Sequence, residues 1–298
     1  MTISDLHPGG VTKLAGRPVS RIGFGAMQLG ELPGRPAADP ATAHTILQAA
    51  TARGVNHFDT AEFYGDGTAN TRIREALSPY ADELNIVSKV GADHVDGKLT
   101  PAQRPEQLRA SVEANLATLD AERLAVVNLR RLDQAPGLVA EGDQIVDLDA
   151  QLAELISLRD QGKIGAIGLS AVDVDTLRRA LPADIVCVQN MYSLLDRTHQ
   201  PVLELCREHR IAWVPFFPLG SAFPGRPKVT DDPTVLAIAQ ELEATPAQVG
   251  LAWLLADYEH TLLIPGTANL QHLQQNLEAG EVEFTADQLA RLMAVSVG

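Results

Sequence analysis

The sequence predicts an α/β chain folded as a (β/α)8 TIM barrel with an N-terminal β-hairpin and extra helices. Eight strand-like apolar runs recur along the 298 residues, and amphipathic helical segments alternate with them. Continuous apolar strands alternating with helices are buried on both faces, which means parallel pairing. No Ser-rich or charge-block linker divides the chain, so residues 1–298 are expected to form one domain.

After a short β-like start, the expected strands are Arg21–Phe24, Val55–Asp59, Asn85–Lys89, Leu124–Leu129, Ile164–Leu169, Ile185–Gln189, Ile211–Phe216 and Thr261–Ile264. Between them, Pro40–Arg53, Pro105–Leu119, Leu148–Asp160, Asp173–Leu181 and Thr198–His209 carry apolar residues at three- and four-residue spacing, the period of a helix laid on a sheet. Residues Asp232–Ala244 and Thr245–Asp257 read as two successive helices, one beyond strict alternation, because Thr245 can cap and Pro246 suits a first turn. Three Gly- and Pro-rich segments, Gly30–Pro40, Asp133–Asp147 and Gly220–Pro233, follow strands and are expected to rim a pocket.

Composition narrows the function classes. Lys and Arg number 24 against 38 Asp and Glu, a net charge of −14 with no basic stripe, so nucleic acid is not an expected partner. No apolar run approaches the roughly 20 residues of a membrane helix. The start, Met1 to Gly10, lacks a basic segment followed by an apolar one, so no export signal is expected. Cys187 and Cys206 fall on an expected strand and helix, which fits buried thiols better than a disulfide framework or a metal cluster. A cytoplasmic location is expected, no metal is expected, and the oligomeric state is not read.

Four tyrosines stand in the chain, and Tyr64 is the one in a glycine-bounded loop directly after a strand. That strand ends in Asp59, and the next ends in Lys89, so three polar groups converge at adjacent strand ends. These residues resemble the tetrad of the aldo-keto reductase family, which implies carbonyl reduction; that reaction needs hydride on carbon and a proton on oxygen, and a free phenol with a pKa of about 10 is a poor donor near neutrality. An ammonium about 4 Å away, at an effective dielectric near 20, favours a phenolate by up to ~4 kcal/mol. Lys89 is placed to act in this way, and Asp59 to hold it.

On these residues the chain resembles the aldo-keto reductase family over nearly its whole length. Gly-Phe-Gly-Ala-Met at 23–27, Gly-Val-Asn-His-Phe-Asp-Thr-Ala at 54–61, Gly-Leu-Ser at 168–170, Gln-Asn-Met-Tyr-Ser at 189–193 and Ile-Pro-Gly-Thr at 264–267 look like the family's ordered motifs. The resemblance implies a catalytic tetrad, of which Asp59, Tyr64 and Lys89 match. At the fourth position the family's histidine is replaced by Arg130, which cannot relay a proton but can donate hydrogen bonds to a carbonyl oxygen. Arg131 is the competitor for that place, and His57 and His94 are further candidates; His57 reads as a satisfied core histidine.

The resemblance also implies an extended nicotinamide dinucleotide, bound without a GxGxxG loop. NADPH is the expected cofactor, with NADH as the alternative. Ala26 and Met27 lie in the first matching motif. Ser170 and Gln189 match positions that bind the carboxamide, while Ala171 stands where an Asn is usual. Phe216 stands where a tyrosine stacks on the nicotinamide ring, with barrel core as the competing reading for Phe216 and Phe217. Pro218, Leu219, Gly220 and Ser221 are expected along the pyrophosphate. Gly266, Thr267 and Ala268 lead into a helix whose N-terminal amides can receive a phosphate. The family's Lys and Arg are absent at Gly266 and His272, leaving Thr267 and His272 to meet a 2′-phosphate, and Gln275 and Asn276 to meet adenine.

The implied activity is reduction of a small-molecule aldehyde or ketone to an alcohol, with pyridoxal a candidate because the chain looks closest to the pyridoxal-reductase-like branch. The alternatives are a dinucleotide-binding sensor or regulatory barrel with little turnover, and a Schiff-base lyase using Lys89. A carboxylate partner for Lys89 argues against the lyase.

Overall fold

The computed structural model describes residues 7–32, 34–95, 97–133, 137–220 and 227–296. Seven parallel strands form one sheet: β3 (Phe24–Gly25), β4 (His57–Asp59), β5 (Asn85–Val90), β8 (Leu124–Arg130), β9 (Ile164–Ser170), β10 (Ile185–Gln189) and β11 (Ala212–Trp213), neighbours in that order. The eighth position is filled by residues 261–263, which bridge in parallel to Trp213 on one side and Ile22 on the other. Leu263 donates to the Arg21 carbonyl (2.7 Å) and Gly23 to the Leu263 carbonyl (2.8 Å), so the sheet closes into a (β/α)8 barrel.

The expected eighth and first strands are thus present as extended, bridged chain. The Ile211–Phe216 run is reduced to two ladder residues because Pro215 has no N–H to give. It still follows β10, with Val214 donating to the Val188 carbonyl and Phe216 to the Asn190 carbonyl.

The N-terminal hairpin, β1 (Val11–Leu14) and β2 (Arg17–Ser20), turns through Ala15 and Gly16, both at positive φ (50° and 78°), the geometry of a two-residue type I′ turn. Leu14 and Val19 pack with Val87, Val126, Ala166, Cys187, Ala212, Val214 and Leu262. Ser20 receives the Asn56 side-chain oxygen on its N–H, and Thr12 bonds His260; both partners lie just before a barrel strand. The hairpin therefore stops the N-terminal end of the barrel.

The outer layer comprises α1 (Pro40–Ala52), α2 (Thr68–Leu77), α3 (Pro105–Leu119), α4 (Leu148–Asp160), α5 (Val174–Ala180), α6 (Gln200–His209), α7 (Pro233–Glu241), α8 (Pro246–Asp257), α9 (Leu270–Glu278) and α10 (Ala286–Met293). Their starts follow from caps. Asp39 accepts from Thr42 N–H ahead of Pro40, Asp232 accepts from Thr234 and Val235 ahead of Pro233, and Thr245 with Gln248 forms a capping box ahead of α8. The extra helix is α7. A second hairpin, β6 (Ala92–Val95) with β7 (Lys98–Pro101), is inserted after β5. Among the described residues no helix is long and apolar enough to cross a membrane. Cys187 and Cys206 are both buried, and burial pushes the Cys206 thiol up to about 12.

Candidate active site

Alternation along each barrel strand decides which side chains enter the interior. His57 and Asp59 share a face of β4, as do Val87 and Lys89 on β5, Val126, Asn128 and Arg130 on β8, Ala166, Gly168 and Ser170 on β9, and Cys187 and Gln189 on β10. The lower members pack with the hairpin residues Leu14 and Val19, so that face is the interior. Asp59, Lys89, Arg130, Ser170 and Gln189 accordingly ring its C-terminal end.

Within that ring, the Lys89 ammonium donates to Asp59 Oδ1 and to the Thr60 carbonyl (3.2 Å). It sits 5.0 Å from the centroid of the Tyr64 ring. Asp59 and Lys89 side chains are 2% and 7% exposed, so each charge is dry and needs the other. Burial alone would lower the Lys89 pKa; the Asp59 carboxylate and the Tyr64 oxygen outweigh it and hold the ammonium above its ordinary range. The second Asp59 oxygen is met from across the barrel by Gln189, Nε2 to Oδ2 at 2.6 Å.

Tyr64 is delivered by the loop after β4. Gly30 and Gly65 let two backbones touch there, since a Cβ at Gly30 would lie 2.8 Å from the Tyr64 carbonyl. Behind it, Ala61, Phe63 and Ala92 form a small cluster against which Tyr64, Leu99 and Leu138 pack. Two of the three loops expected at the rim thus border Tyr64. A polar network of Thr60, Asn70, Asn115, Ser88 and Thr118 pins α2 and α3 to the ends of β4 and β5; its residues carry no sequence motif and were not anticipated.

Arg130 and Arg131 take opposite faces. Arg131 forks onto Asp133, with both bonds at 2.8 Å, and also donates to the Val146 carbonyl and to Gln151. Arg130 lies over the Phe63 ring, its Cζ 5.8 Å from the centroid. Burial lowers its guanidinium from the usual range and attraction to the Tyr64 oxygen opposes this. Among the described residues Arg130 has no carboxylate partner. His94 stands on β6, near Glu62.

His57 departs from its expected satisfied state. It is 1% exposed, and neither ring nitrogen has a hydrogen-bond partner among the described residues. Burial depresses its pKa to about 4, an effect that Asp59 opposes and Lys89 reinforces.

The residues expected around the cofactor spread along one arc of the C-terminal face. Ser170 and Gln189 are adjacent in register at the ends of β9 and β10. Gln189 Oε1 is buried with no partner among the described residues, so it can accept an amide N–H such as a nicotinamide carboxamide offers. Ala171 holds a left-handed conformation, φ +57°. Phe216 and Phe217 are half-buried, centroids 5.5 Å apart and nearly perpendicular, unlike fully buried barrel-core residues. Pro218 is half-buried beside them, Leu219 packs on the core against Gly250, and Gly220 is left-handed at φ +90°. Ser221 lies outside the described residues.

Ala26 is wholly buried, so its methyl belongs to the core, whereas Met27 is half-buried beside it. Gly266 has no room for a side chain: a Cβ would be 2.2 Å from the Gly25 carbonyl. At the start of α9, Asn269 already accepts the His272 N–H (3.0 Å) and Thr267 Oγ1 the Asn269 N–H (3.0 Å), so part of the expected phosphate seat is taken by side chains. Ala268 packs on the core, His272 is exposed, and Gln275 and Asn276 are half-buried on α9.

Comparison with known proteins agrees with this arrangement. The model of the aldo/keto reductase family matches residues 21–297. A pyridoxine 4-dehydrogenase of Escherichia coli is 40% identical over 287 residues, covering 95% of this chain and 97% of that one. A probable aldo-keto reductase 1 of Glycine max is 30% identical, covering 100% of this chain and 91% of that one. Among solved structures, a thermostable aldo-keto reductase in complex with epalrestat superposes with a TM-score of 0.81 at 26% identity, covering 96% and 99% of the two chains. An aldo-keto reductase from Klebsiella pneumoniae in complex with NADPH gives a TM-score of 0.78 at 25% identity, covering 95% and 93%. Closed barrel, converging strand-end residues and matched length together place this chain in the aldo/keto reductase family, as an oxidoreductase.

Proposed function

We propose that the chain reduces an aldehyde or ketone to an alcohol with NADPH, Tyr64 giving the proton and pyridoxal the leading candidate substrate. The observation that carries this reading is the Lys89 ammonium, paired with Asp59 and seated 5.0 Å from the Tyr64 ring centroid. Lys89 stabilises the phenolate left after Tyr64 gives its proton to the substrate oxygen. Asp59, held from both sides by Lys89 and Gln189, keeps that ammonium in place. Arg130 orients the carbonyl and stabilises charge developing on its oxygen, without itself exchanging a proton.

The nicotinamide cofactor supplies hydride when bound. Ser170 and Gln189 Oε1, unpartnered among the described residues, would hold its carboxamide, Phe216 its ring, Pro218, Leu219 and Gly220 its pyrophosphate, and Thr267, Ala268, His272, Gln275 and Asn276 its adenosine end. The Klebsiella neighbour, solved with NADPH, supports the phosphorylated form. A ratio of catalytic efficiencies with the two cofactors tests it, and a clear preference for NADH rejects it.

Pyridoxal is favoured because the Escherichia coli relative is a pyridoxine 4-dehydrogenase, which run backwards reduces that aldehyde. A half-buried guanidinium that has no carboxylate partner among the described residues also suits a substrate whose ring hydroxyl ionises beside its carbonyl. The test is a carbonyl panel followed by NADPH absorbance, including pyridoxal, methylglyoxal and aromatic aldehydes, with Tyr64→Phe as control. Undiminished turnover in Tyr64→Phe rejects Tyr64 as the acid, and cofactor binding without turnover of any carbonyl favours a sensor instead.

A further inference from the structure

We infer that Gln103 is a positioning residue that sets where Arg130 stands relative to Lys89, through a side-chain clamp closing the ends of β5 and β8. The inference rests on Arg130 acting at the substrate carbonyl as proposed above.

The two strands pair in register up to Val90 with Leu129. One residue later the chains part: Gly91 turns at φ +109° into the β6–β7 hairpin, while the Arg131 N–H stays with β9, donating to the Ser170 carbonyl (2.9 Å). The Gly91 carbonyl already takes the Ala102 N–H (3.1 Å), while the Arg130 carbonyl is left facing the widening gap, where a buried acceptor without a donor costs about 1–3 kcal/mol. Gln103 fills it. Its Nε2 donates to Gly91 O (2.6 Å) and to Arg130 O (2.9 Å), so one amide group spans both strand ends.

Gln103 is itself fixed from every side. It is 2% exposed. Gln151 Nε2 donates to its Oε1 (3.0 Å) and to its backbone carbonyl (2.7 Å), which forces the Gln103 NH2 to point at the strands. Its own N–H donates to Gln144 Oε1 (2.7 Å), tying the loop after β8 to the same point, and Arg131 donates to Gln151 from behind. Gly91 completes the fit, since a Cβ there would lie 2.4 Å from Arg130 O and 2.7 Å from Gln103 Nε2. Holding the Arg130 carbonyl fixes the Cα from which its side chain starts toward Tyr64, and Lys89 lies two residues before Gly91 on the other arm of the clamp.

Gln103→Met keeps the chain length and removes both donors; Gln151→Met keeps Gln103 but frees its amide to rotate. The test is a double-mutant cycle on kcat with Arg130→Met, alongside the cofactor Kd from fluorescence quenching. Misplacement of a reacting group by about 1 Å costs up to 10²-fold, so Gln103→Met is expected to lower kcat roughly 10- to 100-fold, and Gln151→Met less. In the Arg130→Met background the same change should cost no more than about twofold, with cofactor Kd unmoved in either background. An equal kcat loss with and without Arg130, or no loss in either Gln variant while Arg130→Met is strongly impaired, overturns the clamp. A small effect of Arg130→Met itself would instead overturn the role of Arg130. Should Gln103→Met fail to fold, Gln151→Met in the same cycle decides the matter.

Discussion

Gln189, 130 residues away in sequence, donates its amide to Asp59 Oδ2 at 2.6 Å, inside the barrel and on the opposite oxygen from Lys89. The carboxylate is therefore gripped between a charge and a dipole, and the dipole's other end, Oε1, has no partner among the described residues. Removing the grip should loosen the ammonium as well. Gln189→Met is expected to cost about 2 kcal/mol of stability, the range for a hydrogen bond to a charged group, and to lower kcat. Urea denaturation and steady-state kinetics check this; unchanged values in both would show that Lys89 alone suffices.

Lys89 and Asp59 should behave as one unit. Lys89→Met strands a buried carboxylate, and breaking such a pair costs about 3–5 kcal/mol. The double variant Asp59→Asn with Lys89→Met leaves no stranded charge, so it should regain part of that loss while remaining inactive. Additive destabilisation in the double variant would contradict the coupling.

Neighbouring arginines should separate cleanly. Arg130→Ala is expected to lose much more turnover than Arg131→Ala, because the first faces Tyr64 and the second is spent on Asp133, Val146 and Gln151. Arg131→Ala should instead lower the melting temperature through its lost bonds to Asp133, Val146 and Gln151, and spare turnover because Gln103 keeps both its carbonyl bonds. Equal, small turnover losses from both would defeat the assignment.

Acid should destabilise the fold through His57. Its pKa is near 4 when folded, against about 6.5 when unfolded, so the unfolded chain binds the proton first. The folded state has its full advantage above about 6.5 and loses it as the pH falls toward 4, by about 3 kcal/mol in all. His57→Phe should flatten the slope of unfolding free energy between pH 7 and pH 5 relative to the parent. Identical slopes would mean that other groups set the acid limit.

Ala171 is held at φ +57°, where an alanine pays for its Cβ and an asparagine less so. Ala171→Asn is expected to raise stability by about 0.5–1 kcal/mol and to tighten cofactor binding beside Ser170. Thermal denaturation and a cofactor titration test the two effects separately.

The fold was readable because barrel strands are buried on both sides, so each shows as an apolar run, and because Pro105 and the Asp147–Leu148 step mark helix starts chemically. Asp59 and Lys89 stood out for the same reason: a charge ending an apolar strand has few explanations. The missed parts carry weaker signals. Helix α2 buries Asn70 among Ala69, Ile73, Ala76 and Leu77, and the eight-residue α10 buries Gln288 beside Leu292, so a polar residue interrupts each inner face. The β6–β7 hairpin is short and polar. Gln103 looks like any surface glutamine in sequence, and only contacts to Gly91, Arg130 and Gln151 distinguish it.

The closing segment at 261–263 makes the first and last portions of the chain mutually dependent. Until Leu262 reaches Trp213 and Leu263 reaches Arg21, the nascent sheet has two bare edges able to recruit strands from other molecules. A version of this protein cut before Thr261 should therefore aggregate rather than fold into a smaller barrel, although every residue of the proposed proton-donating ring would be intact.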